Sequence, residues 1–189
     1  MLGKRLIRSH LPPIILDIEA SGFGQHSYPI EIGIAINPNE RHCWLVHPHP
    51  DWTHWDESAQ QVHGIDRNLL FSEGLPVTDV CVLLNSILRG RTIYSDGWVV
   101  DHPWLIKLFQ FANMSMSFHH SPLEMILTES QMAIWDETKR ALINRHGASR
   151  HRASIDAQLI QQTYILTEQH LEHTITSEAN KSGQLRFLT

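Results

Sequence analysis

Along the chain, hydrophobic and polar positions change period several times. Ile14-Ile15-Leu16-Asp17-Ile18-Glu19-Ala20 is an apolar, isoleucine-rich run interrupted by two carboxylates, entered through Pro12-Pro13 and closed by Ser21-Gly22. That pattern predicts a buried central strand. A second apolar run covers 30–36 and a third 43–46, with Asn37-Pro38-Asn39-Glu40 between them as a turn signal, so 30–47 predicts a hairpin. The period then becomes helical. A short helix is predicted at 56–63, with Asp66 capping another brief turn, and an amphipathic helix over Val77–Leu88 stops at Gly90. Thr92-Ile93-Tyr94-Ser95 predicts a short buried strand, Asp101-His102-Pro103 opens a helix running to about Ala112, and a weak strand is expected near 116–119. Helices are expected over 128–144 and 154–170, followed by a polar, loosely held tail from about 174. Three strands, then strands alternating with helices, predict an α/β domain with a mixed sheet, an antiparallel hairpin on one side and parallel strands on the other.

Composition narrows this picture. A length of 189 residues suits one domain, with a core expected over about 12–172; 42% apolar and 19% charged residues are ordinary for a folded globular chain. The net charge of −5 argues against a protein that coats long nucleic acid by charge alone. Cys43 and Cys81 lack the CxxC spacing of a zinc site and read as small apolar fillers in a reducing compartment. The fourteen histidines are scattered, with no metal-binding pair at helical spacing. The basic start is followed by too short an apolar run for a secretory signal, and no stretch reaches the roughly 18 apolar residues of a membrane span. A cytoplasmic protein is expected.

Candidate chemistry begins with Asp17 and Glu19. Two residues apart on a strand, they share one face. Two buried anions side by side repel and lose hydration unless a cation compensates, and their hard oxygens suit Mg²⁺ or Mn²⁺. Alone, Asp-x-Glu also reads as one loop cap and one solvated carboxylate. Asp101, at a predicted helix start, alone reads first as an N-cap. His151 lies in a loop after Gly147-Ala148-Ser149-Arg150, and Asp156 in the first turn of the next helix. A histidine beside a metal site suits proton abstraction from water, because its ordinary pKa is near neutrality. Lys139, Arg140, Arg145, Arg150 and Arg152 fall within 14 residues that contain no acid, a local basic patch suited to phosphate contacts.

Taken as an ordered set, Asp17-Ile18-Glu19-Ala20-Ser21-Gly22-Phe23, then Asp101-His102-Pro103-Trp104-Leu105, then His151 with Asp156 five positions on, resembles the DEDDh exonuclease superfamily, which includes proofreading subunits of bacterial polymerases and oligoribonucleases. Pro29-Ile30-Glu31-Ile32-Gly33 and Val62-His63-Gly64-Ile65 resemble further landmarks of that family. The resemblance covers 14–160. It implies a ribonuclease H-like fold and metal-dependent 3′–5′ exonuclease activity releasing nucleoside monophosphates from DNA or RNA. Asp17, Glu19, Asp101 and Asp156 would hold two Mg²⁺ or Mn²⁺ ions, with His151 as general base and Glu19 also meeting the 3′-hydroxyl. Substrate contacts are expected from Phe23, which could instead pack in the core, from His63, and from Arg150 and Arg152. The expected partners are short, single-stranded 3′ ends, with no membrane; the oligomeric state stays open, a homodimer included.

One departure and an unassigned loop leave alternatives. Where family members often carry His-Asn ahead of the second-motif aspartate, this chain has Ser95-Asp96-Gly97, which makes Asp96 a rival ligand to Asp101. Trp52-Thr53-His54-Trp55 reads either as an exposed aromatic binding loop or as core. Competing functions are a non-catalytic nucleic-acid or protein-binding module on the same fold, and an endonuclease.

Overall fold

The computed structural model describes residues 11–146 and 151–185. The strands are β1 (Ile14–Ala20), β2 (Pro29–Asn37), β3 (Glu40–Leu45), β4 (Thr92–Ser95) and β5 (His119–Pro122). The helices are α1 (Glu57–His63), α2 (Arg67–Glu73), α3 (Val77–Leu88), α4 (Trp98–Phe111), α5 (Glu129–His146) and α6 (Ala153–Leu185). One mixed sheet has the order β3-β2-β1-β4-β5. β1 pairs antiparallel with β2 and parallel with β4; β2 and β3 are antiparallel, β4 and β5 parallel. This is the mixed sheet that the pattern of elements predicts, in the ribonuclease H-like form that the resemblance implies.

β1 serves two faces. Leu16, Ile18 and Ala20 enter the larger core with Leu84 and Leu88 of α3 and Leu105 and Leu108 of α4. Ile15 points the other way, with Ala35 of β2, to meet Ala157 and Ile160 of α6. Asp17 and Glu19 share this second face by the period of two. β2 is buried along most of its length because helices cover both of its faces. β5 is a short edge strand ending at Pro122, which fits an edge position because proline cannot donate to a ladder.

Several boundaries differ from the sequence expectation. α4 begins at Trp98 rather than Asp101, with Gly97 as its N-cap, so Asp101 sits inside the first turn rather than capping it. The apolar Trp98-Val99-Val100 run looks like strand, yet Val99 and Val100 are exposed on the helix. β5 lies at His119–Pro122 rather than near 116–119, because the short polar segment pairs with β4 from Thr92↔His119 to Ser95↔Pro122. α6 continues well past the expected end at His170, through the segment read as a tail. Cys81 is buried as expected, its thiol pushed up to about 12 by burial, whereas Cys43 is exposed on the edge strand. No helix among the described residues is long and apolar enough to cross a membrane.

α6 approaches the sheet most closely at Gly33. A Cβ there would lie 2.0 Å from the Ala153 carbonyl carbon and 2.1 Å from the Ser154 nitrogen, both backbone atoms that cannot swing aside. Gly33→Ala is expected to lift the start of α6 from the sheet and lower stability by about 1–3 kcal/mol. Urea unfolding checks this, and unchanged stability would contradict the tight docking.

Candidate active site

Three segments meet at the carboxyl ends of the parallel strands β1 and β4, where open α/β sheets commonly bind ligands. β1 brings Asp17 and Glu19. The chain leaves β4 through Ser95, Asp96 and Gly97 into α4, whose first turn carries Asp101. α6 carries Asp156 in its first turn, with His151 just ahead of it. All five line one cleft of about 310 Å³, together with Phe23, His63 and Asp96. That volume is at the lower end of ordinary ligand sites.

The carboxyl groups disturb one another. Burial raises the Asp17 pKa well above its usual range, and the nearby charges of Asp101, Glu19 and Asp156 raise it further. Glu19 is pushed up to about 7, first by burial and then by Asp156 and Glu31, against the lowering effect of Arg152. Asp101, only 3% exposed, is also raised to about 7 by burial and by Asp96 and Glu19, while hydrogen bonds from Ser95 and the Ile18 backbone act in the opposite sense. One oxygen of Glu19, one of Asp156 and a ring nitrogen of His151 lie within 4.8 Å of one another. This crowding of hard oxygen donors fits a divalent cation, which would replace proton uptake as the means of neutralising the site.

The position of His151 depends on a clamp from β2. Glu31, wholly buried and paired in register with Glu19, accepts hydrogen bonds from Arg152 Nε at 2.8 Å, from Arg152 Nη2 at 2.6 Å and from the Ala153 backbone N–H at 2.8 Å. This fixes the entry to α6. His151 then takes φ of +65°, uncommon for a non-glycine residue, and its N–H donates to Asp156 Oδ2 at 2.8 Å. Arg152, expected at the substrate, is engaged with Glu31 and does not line the cleft. Arg150 lies outside the described residues. Glu31 was visible in the sequence only as a family landmark; the available signal was a lone carboxylate in a strand with no polar face.

Asp101 also has support that the sequence did not reveal. Ser95 Oγ lies 3.0 Å from His120 Nε2, and His120 Nδ1 lies 3.3 Å from His102 Nδ1. Trp98 stacks on His102, with ring centroids 4.8 Å apart. Burial and the neighbouring His102 push the His120 pKa down to about 4, so the ring is neutral at ordinary pH. One proton arrangement satisfies the chain: His102 donates to His120, His120 Nε2–H donates to Ser95, and the Ser95 hydroxyl donates to Asp101. Asp96 has a different partner, Lys139 Nζ of α5, at 2.5 Å.

Phe23 is 75% exposed at the cleft, 6.1 Å from the Trp104 ring, so the alternative of core packing does not hold. It follows Gly22, whose φ of +140° and close approach to His54 and Asp56 leave no room for a side chain. His63 is buried; its Nδ1 accepts from the Ile65 N–H at 3.0 Å, which leaves Nε2 to carry the proton. Among the described residues, that Nε2–H has no hydrogen-bond partner. Trp52 is core rather than an exposed loop, stacked on Tyr28 at 5.1 Å, and Trp55 donates to Gln60.

The fold finds counterparts among solved structures. Exonuclease I from E. coli, in a zinc-bound complex with single-stranded DNA, matches with a TM-score of 0.60 at 12% identity, over 89% of this chain and 43% of that one. The same enzyme in complex with a dA16 oligonucleotide gives 0.60 at 11% identity, over 86% and 43%. Exonuclease I from Methylocaldum szegediense gives 0.52 at 10% identity, over 67% and 30%. At these identities the likeness is one of fold, and the chain spans less than half the length of those proteins. No protein-family model and no curated protein matches the sequence.

The raised carboxyl pKa values set the pH response of the metal-free protein. Glu19 and Asp101, at about 7, hold protons more tightly in the folded chain than in the unfolded chain, where carboxyls titrate near 4. The stability this gives is complete below the unfolded values and is lost as pH rises through about 7. In EDTA the melting temperature is therefore expected to fall between about pH 5 and about pH 8, less so in Asp101→Asn, and Mg²⁺ is expected to raise it most at the higher pH. Thermal melts at both pH values check this; a Mg²⁺ effect confined to low pH would contradict it. Glu31→Gln weakens the charge-assisted bonds to Arg152 and Ala153 and is expected to lower stability by about 1–3 kcal/mol. Urea unfolding measures that loss.

Proposed function

We propose that this chain is a divalent-metal-dependent 3′–5′ exonuclease that removes nucleoside 5′-monophosphates from single-stranded nucleic acid. The observation that carries this reading is the convergence of Asp17, Glu19, Asp101, Asp156 and His151 from three separate segments on one cleft. The fold supports it, since the similar structures are exonucleases, two of them in complex with single-stranded DNA or an oligonucleotide. The −5 net charge favours short or weakly held substrates.

In this reading Asp17, Glu19, Asp101 and Asp156 hold two Mg²⁺ or Mn²⁺ ions. When bound, such ions lower the pKa of the attacking water and offset the charge that builds on the phosphoryl oxygens. His151, fixed by its backbone bond to Asp156, takes the proton from that water as it attacks phosphorus. The bond from phosphorus to the 3′-oxygen of the preceding nucleotide breaks, and that oxygen stays with the shortened strand and takes a proton from solvent to become its new 3′-hydroxyl. Glu19 meets the terminal 3′-hydroxyl, which selects an end over an interior bond. Phe23 stacks on the last base, a contact worth about 1–3 kcal/mol that every base can make. The unpartnered Nε2–H of His63 donates to the same nucleotide.

Labelled single-stranded DNA and RNA are expected to shorten from the 3′ end with Mg²⁺ or Mn²⁺, to be spared in EDTA, and to be spared by Asp17→Ala. His151→Ala is expected to lower kcat by about 10²–10⁴-fold with little change in KM. Undiminished digestion by Asp17→Ala, or cutting of circular DNA, would contradict the assignment.

A further inference from the structure

Of the five basic residues clustered between 139 and 152, the described ones go separate ways. Arg152 binds Glu31. Arg140 donates to the Asp136 carbonyl, exposed on α5. Arg145 lines a different groove, between α5 and α6. Lys139 is, among the described residues, the lysine or arginine that lines the cleft. Its ammonium is held by Asp96, and each of the two side chains is only about a quarter exposed, at 27% and 26%. The same Asp96 borders a second hollow of about 150 Å³, walled by Leu123, Leu127, Met132 and Trp135, with Glu124 and Asp136 also in its lining. Asp96 thus borders both the cleft, which Lys139 also lines, and a mostly apolar hollow that carries Trp135.

We propose that Lys139, pre-oriented by Asp96, is a specificity residue that binds the phosphodiester immediately 5′ of the one being hydrolysed, so that the strand leaves the cleft past this pair with its next base against Trp135. The inference rests on the exonuclease reading of the same cleft. Three features support it. A strand with its terminal base at Phe23 and its scissile phosphate at the carboxylates must take its next phosphate out of the cleft, and the hollow beyond Asp96 offers apolar and aromatic surface for the base that follows. The other cleft carboxylates are assigned to metal, so a cation is needed here to admit a second phosphate against the acidic lining. An ammonium has three donors, enough to keep Asp96 and still reach a non-bridging phosphate oxygen. Asp96 thereby changes from rival metal ligand to the group that holds the lysine in place, restricting a flexible side chain before substrate arrives.

The test measures binding without turnover. A 5′-labelled oligothymidylate is titrated in Ca²⁺ by fluorescence anisotropy across a series of NaCl concentrations. Loss of one phosphate contact should weaken binding and reduce the slope of log K against log[salt] by about 0.7 in Lys139→Gln. Lys139→Arg restores most of both, and Arg41→Gln, on the far edge strand, leaves both unchanged. A single methylphosphonate at the linkage next to the scissile one is expected to weaken the wild type as Lys139→Gln does, and to add nothing in that variant. The double variant Asp96→Asn/Lys139→Gln is expected to stay as weak as Lys139→Gln. An unchanged slope in Lys139→Gln, additive effects of variant and methylphosphonate, or recovery in the double variant (which would make Lys139 only a counter-charge for Asp96) would each overturn the proposal. Lysine-dependent binding without hydrolysis in Mg²⁺ would sink the exonuclease reading alone; hydrolysis with Lys139-independent binding would sink this inference alone.

Discussion

Glu31 lies wholly buried in the middle of the sheet, where its carboxylate accepts the Arg152 guanidinium and the Ala153 backbone N–H. A carboxylate there is tolerable only because charged and backbone donors replace the water it has lost. The consequence reaches beyond local stability. The bond to Ala153 fixes where α6 begins, the bare backbone of Gly33 lets that helix start rest directly on β2, and both together set His151 and Asp156 beside Glu19. The +65° backbone of His151 is held by the same arrangement, through its bond to Asp156. An anchor on β2 thus orients a site whose other half is built on β1.

The site itself is the reverse case, a set of like charges with too few counter-charges. Asp17, Glu19 and Asp101 are all raised by burial and by neighbouring carboxylates, and the fold gives them little protein-based relief. Ser95, backed by His120 and His102, supplies one donor to Asp101. The positive charges close by are committed elsewhere: Arg152 to Glu31 and Lys139 to Asp96. Attraction in the surrounding framework and repulsion at its centre together make a cleft whose crowded carboxylates fit divalent cations, the basis of the function proposed above.

Much of this was legible in the sequence where local pattern and tertiary role coincide. Asp17 and Glu19 stood out because two carboxylates on one face of an apolar strand repel and lose hydration unless a cation compensates. The hairpin was legible because Asn37 to Glu40 supplies turn chemistry between two apolar runs. The start of α4 was misplaced because Trp98-Val99-Val100 has the composition of a strand, while its conformation is set by the Gly97 N-cap and by exposure at the cleft rim. β5 was displaced because a short edge strand owes its position to its neighbour β4 more than to its own residues. The partners of charged groups were the least legible. Arg152 and Lys139 belong to one basic cluster in sequence, yet one anchors a helix and the other faces the cleft, and each choice is made by a carboxylate more than 40 residues away.

In the proposed site, carboxylates from β1, α4 and α6 share divalent cations. An anomalous difference map from a crystal soaked in Mn²⁺ tests it most directly. Peaks are expected inside the cleft, within coordination distance of Asp17, Glu19, Asp101 and Asp156. Manganese bound only elsewhere, or bound without Asp156 or Asp101 turned toward it, would contradict that arrangement.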